Sequence, residues 1–286
     1  MIKKLKPVLI FSFLGLIIIG WAGCFRKYRM TSSDIKGYYN TKSYKPTFTT
    51  YKVNDRQIHF ASTGCDTLPM LLMIHGAPGE WYGYIHLMDD SLLRQKFRIV
   101  SVDRPGYGKS GYGIPELSIS KQAQYFQPII DSHKNNKPII IIGRSFGAPV
   151  AAKLASENQD KVKALILAGA AIDPEKEKFW WFSSLGKWMI IRWMLPKPLN
   201  VATDEKYAHV EELQKLIPIW QKIKIHVSVL HGGDDWIVDT ANVTFARKML
   251  INAKAKFHVI PHTGHLVSNE KPELLKKEIF NYLQTD

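Results

Sequence analysis

The chain has 286 residues, 45% of them hydrophobic, enough to bury a sizeable core in one domain. Its net charge of +14 comes from cations scattered through helical runs and around one apolar segment, without the arginine-and-aromatic strip that reads nucleic acid; an anionic lipid surface is the simpler partner. Two cysteines make no disulfide framework, and the absence of HExxH, paired CxxC and GxxxxGK[ST] patterns predicts chemistry without a metal or cofactor.

From the amino end, Lys3, Lys4 and Lys6 precede a stretch from Pro7 to Phe25 without a charged residue, and Arg26, Lys27 and Arg29 follow it. As a helix that stretch would span about 28 Å, close to the roughly 30 Å of a hydrocarbon core. A basic start, an apolar middle and small residues at the end equally describe a cleavable secretory signal, so residues 1–25 read as a signal peptide or a membrane anchor. Trp21-Ala22-Gly23-Cys24 resembles a bacterial lipoprotein box, in which Cys24 would carry the lipid, although Trp21 stands where that pattern prefers an aliphatic residue. Either reading ties the protein to a membrane, with the domain expected on the extracytoplasmic side. Residues 26–50, rich in Lys, Tyr, Ser and Thr, read as a tether with little structure of its own.

From residue 51 to 286, apolar β-rich runs alternate with helical runs, which predicts an α/β domain with a parallel sheet and helices on both faces. Strands are expected over 51–54, 57–62, 69–75, 97–102, 138–143, 162–168, 225–231 and 256–260. The first two form a hairpin around Asn54-Asp55, and helices are expected over 119–134, 146–158, 240–251 and 271–284. Residues 173–220 break the alternation. They are too long for one crossover and hold Phe179, Trp180, Trp181, Phe182, Trp188, Trp193 and Trp220.

The run Ile139-Ile140-Ile141-Ile142 leads into Gly143-Arg144-Ser145-Phe146-Gly147, a GxSxG pattern followed by Ala-rich helical sequence. A serine on a tight strand-to-helix turn stands clear of its backbone, and the flanking glycines allow the close approaches that such a turn forces. A serine hydroxyl attacks a carbonyl only if a base takes its proton and an acid orients that base. Two later strands end in residues of the right kinds: Gly232-Gly233-Asp234-Asp235 and Pro261-His262-Thr263-Gly264-His265. At the carboxyl edge of a parallel sheet Ser145, an aspartate and His265 can meet. On spacing alone either Asp234 or Asp235 serves. His262 precedes the turn glycine, and His75 and His231 read as turn supports. Asp173, before Pro174, reads as a helix N-cap. Arg144 either binds a substrate carboxylate or pairs with a core acid, and the structural role is favoured.

Five motifs in order, namely His75-Gly76-Ala77-Pro78-Gly79, Asp103-Arg104-Pro105-Gly106-Tyr107-Gly108, the GRSFG turn, GGDDWIV and HTGH, make the chain resemble the α/β-hydrolase superfamily from about residue 51 to the end. The resemblance implies an α/β-hydrolase fold, a mostly parallel eight-stranded sheet with a small helical cap at about 173–220. It implies Ser145 as nucleophile, Asp235 as acid and His265 as base, with the amides of Ala77 and Phe146 as oxyanion hole. Asp173 becomes the alternative acid, since some members draw the acid from that strand end. Serine at the turn argues against the branches whose nucleophile is a carboxylate. A serine hydrolase of an ester, thioester or amide is therefore expected, with an acyltransferase or a non-catalytic binding protein as alternatives. The cap aromatics are expected to pack the cap onto the domain and shape a pocket. Met189, Ile190 and Ile191 beside Lys187 and Arg192 would also suit a bilayer interface.

Overall fold

The computed structural model describes residues 29–179, 184 and 186–284. Strands β1 (Thr47–Val53), β2 (Arg56–Thr63), β3 (Met70–Ile74), β4 (Arg98–Val102), β5 (Ile139–Arg144), β6 (Val162–Ala168), β7 (His226–Gly232) and β8 (Lys254–Ile260) form one sheet in the order β1-β2-β4-β3-β5-β6-β7-β8. The β1–β2 and β2–β4 pairs are antiparallel and every other neighbouring pair is parallel. The hairpin turns at Asn54-Asp55, with Val53 opposite Arg56 and Asn54 at φ 53°.

Central strands read as unbroken apolar runs because both of their faces are covered. On β3 and β5 the side chains alternate between two cores. Leu72 and Ile141 pack on one side with Phe126 and Val150, while Leu71 and Ile140 pack on the other with Leu87 and Ile279. The covering helices are α1 (Ser32–Asn40), α2 (Ile85–Asp89), α3 (Ser91–Lys96), α4 (Ile119–Asp131), α5 (Gly147–Glu157), α6 (Met189–Met194), α7 (Lys197–Trp220), α8 (Ala241–Met249), α9 (Val267–Glu270) and α10 (Pro272–Gln284).

Two expectations need correction. Residues 26–50 are not a plain tether: α1 occupies Ser32–Asn40, and β1 begins at Thr47 rather than at 51. The helix starts because Thr31 caps it and Asp34 returns the bond, a capping box hidden in a Ser/Thr-rich stretch. It is held because Tyr39 is buried in the second core and Tyr38, Lys42 and Tyr44 converge on Asp89. The second correction concerns the aromatics of 173–220. Trp220 is fully buried against Phe245, but Trp188 and Trp193 face solvent rather than packing the cap onto the domain.

Among the described residues, the inserted region holds a short 3-10 turn at Pro174–Lys176 and the helices α6 and α7. Along α7 the buried positions include Val201, Glu205, His209, Glu212, Leu213 and Leu216, a stripe at helical spacing that holds three ionisable side chains. No helix among the described residues is long and apolar enough to cross a membrane. Residues 1–25 and Cys24, which carry the signal, anchor and lipidation expectations, lie outside the described residues, as do Trp180, Trp181 and Phe182.

Candidate active site

Ser145 follows the last residue of β5 and has φ 51°, a left-handed conformation that a side chain bearing a Cβ adopts only under constraint. The constraint is visible on both sides. A Cβ on Gly143 would lie 2.6 Å from the Ala151 Cβ, and one on Gly147 would lie 2.4 Å from the His75 carbonyl oxygen, so only glycine lets the turn close. The Ser145 amide donates to the Ala168 carbonyl at 3.0 Å, tying the turn to β6.

Three side chains meet there. His265 Nε2 lies 3.0 Å from Ser145 Oγ, and His265 Nδ1 lies 2.7 Å from Asp235 Oδ2. With the Asp235 carboxylate accepting from Nδ1–H, the unprotonated Nε2 is left to accept the serine proton. Burial opposes the charge on Asp235, but the hydrogen bonds from the His265 ring and the Val238 amide outweigh it and hold the carboxyl below its usual range. Its other oxygen accepts from the Ile237 and Val238 amides at 3.0 and 2.9 Å, which fixes the carboxylate as well as charging it.

The rival residues sit elsewhere. Asp234 is solvent-exposed and faces the equally exposed His262 at 3.8 Å. Asp173 accepts from the Glu175 amide and caps the 3-10 turn, as its position before Pro174 predicts. His231 is fully buried, donates Nε2–H to the Val238 carbonyl at 3.2 Å and flanks Asp235 at 3.4 Å; burial lowers its pKa, which keeps the ring neutral. Arg144 reaches Asn269 Oδ1 at 2.9 Å and lies over the Tyr84 ring, so its role is structural, though its partners are neutral groups rather than a core acid.

Phe146 follows Ser145 as the N-cap of α5, and Ala77 follows Gly76, whose backbone runs against the serine: a Cβ on Gly76 would lie 2.9 Å from the Ser145 Cβ. The Gly76 carbonyl accepts from His75 Nδ1–H at 2.6 Å and from Arg104 at 3.3 Å. Across a planar trans peptide the next N–H points opposite to that carbonyl, so these two bonds also aim the Ala77 amide. Burial, with Arg104 and Arg144 close by, pushes His75 well below the usual imidazole range, and its Nε2 accepts from the Arg104 amide at 2.9 Å.

Sequence reasoning missed the cap's part in this. Arg104, fully buried, is gripped by Glu205 of α7 through both nitrogens at 2.7 and 2.9 Å, and Tyr107 donates to the same carboxylate at 2.6 Å. One turn further along α7, His209 stacks on the Phe146 ring at 4.4 Å and is bonded through Nδ1 to Glu177 at 2.7 Å. Arg104 belongs to the Asp103–Gly108 motif. Glu205 and His209 could have been found from the helical spacing that puts them in line with Val201 and Leu216.

Among the described residues, no group of three or more His, Cys, Asp or Glu side chains is arranged to hold a metal ion. A cavity of about 920 Å³ lies to one side, lined by Arg29, Phe48, His59, Glu80 and Asp103 among others, and includes none of the three meeting side chains. There burial and the neighbouring Asp103 push Glu80 up to about 7, with Arg29 opposing them.

Residues 69–197 match the family model described as α/β hydrolase fold. The chain is 33% identical over 109 residues to a 1-acylglycerol-3-phosphate O-acyltransferase of Arabidopsis thaliana, which covers 36% of this chain and 25% of that protein. It is 23% identical over 286 residues to the proline iminopeptidase PfmaB of Pestalotiopsis fici, covering 82% and 98%. The crystal structure of a membrane phospholipase A, a bacterial virulence factor, superposes with a TM-score of 0.64 at 17% identity, covering 99% and 98%. The first curated relatives are matched over only about a quarter of their own length, 25 to 28%. Sheet order, the strand-to-helix serine turn and the match over residues 69–197 agree that the chain has the α/β-hydrolase fold.

Proposed function

We propose that the protein is a serine hydrolase that cleaves an ester-like bond, whether ester, thioester or amide, of a small acyl substrate. The observation that carries this reading is the unbroken hydrogen-bond path from Ser145 Oγ through the His265 ring to a buried, charged Asp235. In the proposed cycle His265 Nε2 takes the serine proton as Oγ attacks the carbonyl carbon, and Asp235 stabilises the imidazolium. The Ala77 and Phe146 amides receive the oxyanion; one such donor is worth on the order of 3 kcal/mol in the barrier. The leaving group departs with the proton from His265. Water, deprotonated by the same nitrogen, then releases the acid and restores the hydroxyl.

A second reading has one observation behind it, the similarity to a 1-acylglycerol-3-phosphate O-acyltransferase. In it the same acyl-enzyme passes its acyl group to an alcohol instead of water. The basic and apolar pattern of residues 1–29 supports a further part of the proposal, that the domain works at a membrane on the extracytoplasmic side. A panel of short and long acyl esters, thioesters and amino-acid amides, assayed with and without a competing alcohol, tests both readings. Wild type should turn over at least one class and Ser145→Ala none. Equal turnover by the two proteins would remove the nucleophile assignment.

A further inference from the structure

Helix α6 is built inside out. Its cation, Arg192, turns inward and makes a two-pronged pair with Asp204 of α7 at 2.7 and 2.8 Å, and its backbone carbonyl accepts from Asn200. Its apolar side chains turn outward: Trp188 is 64% exposed, Met189 85%, Ile190 73% and Trp193 88%, with Met194 beside them. A monomer rarely leaves so large an apolar group bare without a use for it. Two exposed tryptophans flanking aliphatic side chains are the composition that settles at the headgroup level of a bilayer.

The surrounding charge selects the occupant. Between residues 187 and 203 the chain has Lys187, Arg192 and Lys197 and no acidic residue, and Arg192 is already neutralised by Asp204. Lys187 and Lys197 are exposed on either side of the apolar face. The whole chain carries +14. In a symmetric pair of copies these cations would confront one another, whereas an anionic headgroup layer satisfies them while the apolar side chains enter the acyl boundary. Arg192 also straps this face to α7 at Asp204, five residues, or about 7.5 Å along the axis, before His209, whose ring covers Phe146. The geometry points to α6 as a docking face for the surface of an anionic phospholipid bilayer, an interaction that goes beyond the catalytic reading and does not depend on it.

The test uses the full chain with vesicles of phosphatidylcholine and phosphatidylglycerol that carry a photoactivatable diazirine near the headgroup end of one acyl chain, with adducts located by peptide mass spectrometry. The expected result is labelling of residues 188–194, with Leu92, which is also exposed but lies outside this face, unlabelled. The quadruple variant Trp188→Ser, Met189→Ser, Ile190→Ser, Trp193→Ser should lose that labelling at least about tenfold and keep wild-type thermal stability, since these side chains are already in solvent. Vesicles of phosphatidylcholine alone should label the face less. Adducts confined to residues 1–28, or labelling of 188–194 no stronger than at Leu92, would overturn the proposal. So would a lipid-free dimer that the same substitutions dissolve. Loss of esterase activity in every protein with the labelling pattern intact would sink the catalytic reading alone.

Discussion

The sheet edge and the cap both bring buried polar groups to the neighbourhood of Ser145, by opposite means. At the sheet edge each functional side chain stands within a few residues of a strand end: Ser145 directly after β5, Asp235 three residues after β7 and His265 five after β8. Turns of that kind need glycines and backbone hydrogen bonds at fixed offsets, so function and turn chemistry are written together. On the cap, Glu205 and His209 sit in the middle of a 24-residue helix, where no turn marks them. They reach the site because α7 lies across the Ser145 turn, where Glu205 holds Arg104 and His209 stacks on Phe146. A site can thus be read from its turns while the parts that brace it stay hidden in a helix stripe.

Substitutions at the two regions should therefore fail differently. The largest effect is expected at the sheet edge: His265→Ala should lower kcat on the best ester by on the order of 10⁶, with the melting temperature nearly unchanged. Asp235→Asn should cost about 10⁴ by giving His265 the wrong tautomer, whereas Asp234→Asn, on an exposed side chain, should leave the rate within about twofold. An equal loss in both aspartate variants would erase the distinction between a held carboxylate and a turn residue.

On the cap, Glu205→Ala strands the buried Arg104 without a counter-charge. Stability should fall by about 3–5 kcal/mol in a denaturant titration. If Arg104 aims the Ala77 amide, kcat should also drop roughly ten- to a hundredfold with KM for a small ester little changed. Full activity in the destabilised protein would reduce the Arg104 network to packing.

The smallest effect is one of pH. Burial opposes the charge on Glu177, but the bonds and charges of His209 and Lys206 overcome it and bring its pKa down to about 2. A depressed carboxyl contributes stability that is complete above its unfolded value near 4.5 and is lost as pH falls toward 2. The contribution is at most about 3 kcal/mol. Glu177→Gln should flatten that part of the acid-unfolding curve and leave the neutral-pH rate on a small ester close to wild type.

Legibility in the sequence followed the same division. The expected strands lie within a few residues of the observed ones; the central strands are legible because both of their faces are covered and their runs are apolar throughout, as in Ile139–Ile142, while the polar β1 starts four residues earlier than its sequence suggests. Helix α1 was missed because its cap, Thr31 with Asp34, is written in the residues that also mark a loop, and because the tyrosines that hold it find Asp89 only in three dimensions. Trp188 and Trp193 look in sequence like core aromatics. Their outward direction is set by Arg192 turning in toward Asp204, a pairing that composition cannot reveal. The choice between Asp234 and Asp235 was open on spacing and is separated in the fold by which carboxylate the Ile237 and Val238 amides hold.

Activation of Ser145 by His265 is read out by its rate of labelling with a fluorophosphonate probe. A single covalent adduct is expected on the peptide containing Ser145, formed rapidly by wild type and slowed by orders of magnitude in His265→Ala. An adduct on another residue, or labelling of Ser145 at an unchanged rate without His265, would contradict it.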